Sequence, residues 1–132
     1  MNWAKAIIAG VVGGIALWIA NFIMHGLIMG NTYARYPVFR MEGNPVYFLL
    51  AAVLMSIFAA ILFAKTRGSW APGLKGGATF GCFLGLFSFF AHFYHPLTIE
   101  GFPYFLAWCW GGIGLIALAI MGAAQGMIYK EA

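Results

Sequence analysis

The sequence predicts an all-α integral membrane protein of four transmembrane helices, arranged as two helical hairpins in parallel repeat, with both termini in the cytoplasm. Three observations predict this. The 132 residues are 64% hydrophobic and 8% charged, with mean hydropathy +0.91, whereas soluble chains carry roughly 25% charged residues. Four apolar stretches stand out, at about 4–29, 45–64, 76–95 and 103–129. Finally, MEGNPVYFLLA at 41–51 returns as IEGFPYFLA at 99–107, matching in Glu, Gly, Pro, Tyr, Phe, Leu and Ala across two single-residue gaps.

Each stretch approaches or exceeds the ~20 residues that a helix needs to cross a bilayer core. Such spans are helical because lipid offers backbone N–H and C=O groups no partners. The period-2 alternation of a barrel strand is absent. Lys5 precedes the first stretch as in a signal peptide, but the stretch is too long for an h-region and lacks a small-residue cleavage site after it. It is expected to stay as a helix.

The segments upstream of the two EGxP copies align without gaps at an offset of 67, Gly10, Gly14, Leu17, Phe22 and His25 falling on Gly77, Gly81, Leu84, Phe89 and His92. Residues 1–132 thus form a single membrane domain, with one repeat over about 4–64 and another over about 76–129. Outer loops are expected at about 30–44 and 96–102 and an inner loop at about 65–75. Like-oriented repeats are related by an axis along the membrane normal. The first outer loop is the longer, and its extra stretch, GNTYARYPVFR at 30–40, is aromatic and basic, fit to fold over the outer surface as a cap.

Orientation follows from charge. Lys5, Lys65, Arg67, Lys75 and Lys130 face Glu131 alone on the inner side, while Arg35 and Arg40 cancel Glu42 and Glu100 outside. Positive charge stays inside, so the net charge of +4 is a topology signal. It is not a nucleic-acid patch, and no phosphate loop or other nucleotide motif accompanies it. Cys82 and Cys109 are expected at opposite depths, which argues against a disulfide.

EGxP has a plain structural meaning. Proline suits the first helical turn, and a glutamate near a helix N-terminus is favoured by the macrodipole. Tyr47 and Tyr104 suit the interfacial aromatic belt. Gly10 with Gly14, Gly77 with Gly81 and Gly85, and Gly122 with Gly126 recur every fourth residue. This spacing lets membrane helices approach closely, in a tight bundle, a homo-oligomer, or both.

On the third helix the stripe continues through Ser88, His92 and His95, and on the first Trp18, Asn21 and His25 share a face. Polar residues in a span turn inward and tend to mark function. His25, His92, His95, Asn21, Ser88, Glu42, Glu100 and Tyr94 are therefore the candidate ligand-binding residues. Two related helices each presenting a His could hold a haem or a divalent metal through His25 and His92, with carboxylates from Glu42 and Glu100. His92-x-x-His95 has helical chelate spacing, but Pro96 is expected to lead His95 out of the helix. No HExxH, cysteine cluster or recurrent Glu-x-x-His pair is present. Histidines beside Tyr33, Tyr36 or Tyr94 could move protons. A serine triad lacks an acid to orient its His, and no catalytic residue is assigned.

The run from GATFGCFLGLFSFF through IEGFPYFLAWCWGGIGLIALAIMGAAQG, residues 77–126, resembles small bacterial four-helix membrane proteins grouped as a domain of unknown function. They share a Gly-rich third helix, an EGxP-like turn and a small-residue end to the fourth helix. The resemblance implies a multi-pass protein of the bacterial inner membrane and lends no functional residues; His92 and His95 depart from the pattern.

The sequence therefore favours an accessory or homo-oligomeric membrane protein, in contact with lipid and without a nucleic-acid partner, that binds a lipid, a quinone-like ligand or a metal at its outer end. Two alternatives remain: a haem- or metal-binding redox protein using His25 and His92, and a scaffold within a larger membrane complex.

Overall fold

The computed structural model describes residues 1–40 and 42–130. Met41, which opens the first EGxP copy, and Glu131, the acidic residue expected on the inner side, lie outside the described residues with Ala132. The described chain is all-helical, and four of its helices are long and apolar enough to cross a membrane: Trp3–Ile28, Pro45–Lys65, Gly73–Thr98 and Tyr104–Ile128.

Helix α1, Trp3–Asn21, begins where the Asn2 side chain accepts from Lys5 N at 3.0 Å. It widens into a π-helix over Phe22–Ile28 and passes into the short α2, Gly30–Tyr33, inside the expected outer loop. Helix α3 is Pro45–Lys65, with Pro45 in its first turn and Asn44 accepting from Val46 N at 3.0 Å. A 3-10 turn, Arg67–Ser69, leads to α4, Gly73–Phe89. A second 3-10 turn, Phe90–Phe93, separates α4 from α5, Tyr94–Thr98, and α6 is Tyr104–Ile128.

Pro96 therefore does not release His95 from the helix. It stands in the first turn of α5, where backbone N–H groups have no helical acceptor, so a residue without one loses nothing. The break falls earlier, at Phe90–Phe93.

Helix α6 packs against α4 on one side and α1 on the other, and α1 in turn holds α3. The glycines decide how closely. A Cβ placed on Gly77 or Gly81 would strike the carbonyl oxygen of Gly122 or Leu118, and one on Gly85 would lie 2.7 Å from Leu115 Cα. Likewise Gly10 and Gly14 lie against the backbone of Ile57 and Val53 in α3. These small-residue faces are thus filled within the chain. Gly14 meets α3 eight residues after its start, whereas its aligned counterpart Gly81 meets α6 fourteen residues in. Helix α6 therefore extends roughly 9 Å further toward the end away from the termini (outer by the expected orientation) at 1.5 Å per residue.

One polar pair lies in the apolar centre. The fully buried Gln125 amide donates to Ser56 O at 2.9 Å and Ser56 Oγ at 2.8 Å, with Gly13 leaving it room. Interhelical amide and hydroxyl bonds of this kind hold membrane helices in register. At the inner end the buried Arg67 guanidinium donates to the carbonyls of Tyr129 (3.2 Å), Trp70 (2.7 Å) and Lys130 (2.6 Å), closing the end of α6. Asn2 N donates to Tyr129 Oη at 3.1 Å, which ties the start of the chain to the same point.

Replacing Gly81 by Leu should lower stability by about 1–3 kcal/mol or more, as overpacking does, seen as earlier thermal unfolding in detergent by circular dichroism. Gly112→Leu, where an added Cβ meets nothing within 4 Å, should unfold at or above the wild-type temperature.

Candidate functional site

The π-helix at the end of α1 sets the position of His25. Such wide turns are rare, occur mostly as single-turn bulges inside α-helices, and are frequent at functional sites. The extra residue per turn lets the chain reverse so that Tyr33, at the end of α2, comes back against it: Tyr33 Oη lies 2.5 Å from His25 Nδ1. From α6, Trp110 Nε1 donates to the same Tyr33 oxygen at 2.7 Å.

An indole N–H only donates, so Tyr33 Oη accepts from Trp110 and keeps one hydrogen and a second lone pair for His25 Nδ1, the donor of that pair being set by the His25 tautomer. His95 is oriented differently. Its Nδ1 donates to the His92 carbonyl at 3.0 Å, so in the neutral ring Nε2 is an acceptor.

Trp110 is the centre of the cluster. The rings of His25, His92 and His95 meet it edge-on, at centroid distances of 6.1, 6.0 and 5.3 Å and interplanar angles of 84°, 83° and 77°. Phe102 meets it at 5.2 Å and 82°, and Phe39 of the first outer loop closes over it at 5.9 Å. Edge-to-face contact sets the positive ring edge against the negative π face. The 3-10 turn after α4 brings His92 to this point opposite Gly114 of α6, where an added Cβ would lie 3.7 Å from His92 Nε2 and 4.0 Å from Ser88 Oγ.

The structure thus gathers three of the candidate residues, His25, His92 and His95. Ser88 lies on the same side of α4 but donates to its own helix, at Gly85 O (3.1 Å). Asn21 is half-buried one residue before the π segment. Glu42, Glu100 and Tyr94 are exposed. Among the described residues no group of three or more His, Cys, Asp or Glu is placed to hold a metal ion, so His25, His92, Glu42 and Glu100 are not assembled as a ligand set. The imidazoles converge on an indole ring instead. Cys82 and Cys109 are free thiols.

Trp110, Phe39 and Phe102 carry no polar pattern that would mark them in the sequence. One signal was present for Trp110. An indole N–H deep in an otherwise apolar helix needs a partner, and Tyr33 supplies it.

Beside the cluster runs an apolar groove of about 340 Å³ between the outer ends of α1 and α6. It is lined by Met24, Ile28 and Met29 on one side and Cys109, Gly112 and Ile113 on the other. Met24 and Cys109 of this groove are the sequence neighbours of His25 and Trp110, whose own side chains and that of Tyr33 are not among its lining residues. Burial pushes the Tyr33 phenol up to about 12 from 10.0, against the Trp110 N–H, which lowers it; Cys109 adds to the rise.

No family model, curated protein or solved structure matches the chain.

Because the folded pKa lies above the free-phenol value of 10.0, the Tyr33 hydroxyl contributes its stability in full below pH 10 and loses it as pH rises through about 12. Phenolate absorbance, recorded as wild type minus Tyr33→Phe, should show a single ionisation near the upper value. A difference curve centred at 10.0 would show that the phenol is not buried.

Proposed function

We propose that this protein is a small bacterial inner-membrane protein that binds an amphiphilic, lipid-soluble ligand at the outer end of its bundle, as an accessory or binding component. The head of the ligand lies against the His25–Tyr33–Trp110 chain and its tail along the groove. The single observation that supports this reading is the hydrogen-bonded His25–Tyr33–Trp110 cluster at the same end of the bundle as an apolar groove whose walls include Met24 and Cys109, the residues before His25 and Trp110. The groove volume of about 340 Å³ falls within the range of about 300–1,000 Å³ usual for small-molecule sites. Apolar lining with a few convergent polar groups is the usual make-up of such sites.

The chain is read as two parallel repeats with cytoplasmic termini. Positive charge at Lys5, Lys65, Arg67, Lys75 and Lys130 supports the orientation. The like placement of Gly10 and Gly14 against α3 and of Gly77 and Gly81 against α6 supports the duplication. The inner-membrane location rests on the resemblance to bacterial four-helix proteins together with the apolar spans.

A haem or metal held between His25 and His92 is less well supported, because Trp110 meets both rings. A purely structural role leaves the open groove without a purpose.

The test is to purify the protein in lipid nanodiscs and identify retained molecules by native mass spectrometry. Wild type should hold one amphiphile per chain that is enriched over the bulk lipid. Gly112→Leu, which fills the groove floor without disturbing the fold, should reduce occupancy on the order of tenfold, about 1.4 kcal/mol. Retention of nothing beyond bulk lipid by the wild type would sink the reading.

A further inference from the structure

We propose that the groove between α1 and α6 carries a Cu(I) site, in which the thioethers of Met24 and Met29 and the thiolate of Cys109 hold one ion. This goes beyond the amphiphile reading. A single ion fills only a small part of a groove of about 340 Å³, so the two stand or fall separately.

The π-helix makes the methionine pair. Along an α-helix, residues five apart point about 140° away from each other, and Met24 and Met29 would not share a face. Here the Met29 N–H donates to the Met24 carbonyl at 3.0 Å, and this i→i+5 bond stacks the two residues across one wide turn. Both methionines are half-buried, whereas Phe22, Ile23, Leu27 and Ile28 between and around them are exposed. Both line the groove, and Cys109 of α6 lines it from the facing wall. Depth agrees, since His25, next to Met24, meets Trp110, next to Cys109, at a ring distance of 6.1 Å.

The donor atoms choose the metal. Thiolate and thioether sulfur are soft ligands and select Cu(I). Zn(II) takes four ligands from Cys, His and carboxylates, and Cys109 is the one such residue in the described lining of the groove. Magnesium and calcium need oxygen ligands, which no side chain of that lining supplies. The set shares no residue with the His25, His92, Glu42 and Glu100 ligands expected from the sequence.

Charge points the same way. An uncompensated ion beside hydrocarbon is costly. One Cu(I) and one thiolate cancel, and thioethers add no charge, so the complex suits an apolar wall. A divalent ion on the same sulfurs would keep a net positive charge. Binding exchanges a proton for the ion: the Cys109 S–H bond breaks, the proton passes to water, and the freed electron pair forms the S–Cu bond. Copper stays Cu(I) throughout and no electron moves. The flexible methionine side chains adjust their sulfurs to the ion.

The experiment titrates nanodisc-embedded protein, in the presence of ascorbate, with Cu(I) buffered by bicinchoninate. Wild type should withdraw one Cu(I) per chain from the chelator. X-ray absorption at the copper edge should show sulfur alone in the first shell. Cys109→Ser should weaken binding about a hundredfold, and Met24→Leu and Met29→Leu about tenfold each. Leucine conserves the volume of methionine, so these two variants keep the test decisive if Cys109→Ser unfolds. Cys82→Ser, on α4 and outside the groove, should bind as wild type does, and excess Zn(II) should not displace the ion. Uptake no greater than that of empty nanodiscs would overturn the proposal. So would unchanged affinity in the Cys109 and methionine variants, or nitrogen in the first shell, which would move the ion to the histidines. Loss of the copper site leaves the amphiphile reading standing, and copper uptake by a chain that retains no amphiphile leaves the copper site standing alone.

Discussion

The contact on which the rest of the structure depends is the meeting of α4 and α6 backbone to backbone. At Gly77, Gly81, Gly122 and Gly126 even a methyl group would collide with main-chain atoms of the facing helix. In lipid no hydrophobic effect drives two helices together, so cohesion comes from close dispersion contact and short-range polar contacts between backbones. The ladder continues outward, with Gly85 on Leu115, Gly111 on the Phe89 ring and Gly114 opposite His92. Register is therefore set over the whole length of the pair. It carries Trp110 to the outer end of α4, where His92 and His95 are found. Without that register the indole would face lipid with an unpaired N–H.

A second condition comes from the first outer loop. His25 and Glu42 are seventeen positions apart, while His92 and Glu100 are only eight apart. The surplus supplies Tyr33 and Phe39, which cross to the other hairpin and close on Trp110, and Val38, which comes near Gly101. A strictly symmetric molecule would bring together His92, His95, Phe102 and Trp110 alone. The departure from symmetry makes the polar series possible, since Tyr33 hydrogen-bonds both the indole of α6 and the His25 imidazole of the π-helix.

The spans were legible in the sequence because lipid enforces them. A membrane helix must be apolar and of fixed length, and four stretches met both demands. Glycine spacing was legible for a similar reason, since close approach excludes nearly every other side chain at the contact. The duplicated motif was harder to read. In EGNP, Asn44 caps α3, whereas in EGFP its counterpart Phe102 gives up capping and packs, nearly buried, against Trp110 and His95. Two copies of one motif thus perform different work, and the shared Glu42 and Glu100 remain exposed. Matching the motif also suggests equal depth for the two helix starts. The packing register shows α6 beginning further out than α3, which is why Trp110 reaches the cluster. By the motif alignment its counterpart in α3 is Leu54, half-exposed on the apolar surface. A lone tryptophan in an apolar helix has no pattern to betray it. Only the obligation of its N–H points to a partner, and the partner's identity requires the fold.

The two polar clusters of the bundle differ in which of their groups are satisfied. A cluster built only to hold helices together gains most when every donor finds an acceptor inside it, because a bare polar group near hydrocarbon is costly. The Gln125–Ser56 pair, deep between α3 and α6, satisfies the amide N–H but leaves the buried Gln125 Oε1 without a partner among the described residues. The outer series engages one ring nitrogen of His25, at Tyr33, and the other has no hydrogen-bond partner among the described residues. Trp110 can only donate, so Tyr33 Oη takes its N–H whichever tautomer His25 adopts. Because a polar group without a partner near hydrocarbon is costly, the second nitrogen of His25 is the point at which the outer cluster stays open, and that cluster exists only because the long first loop returns Tyr33 to the bundle.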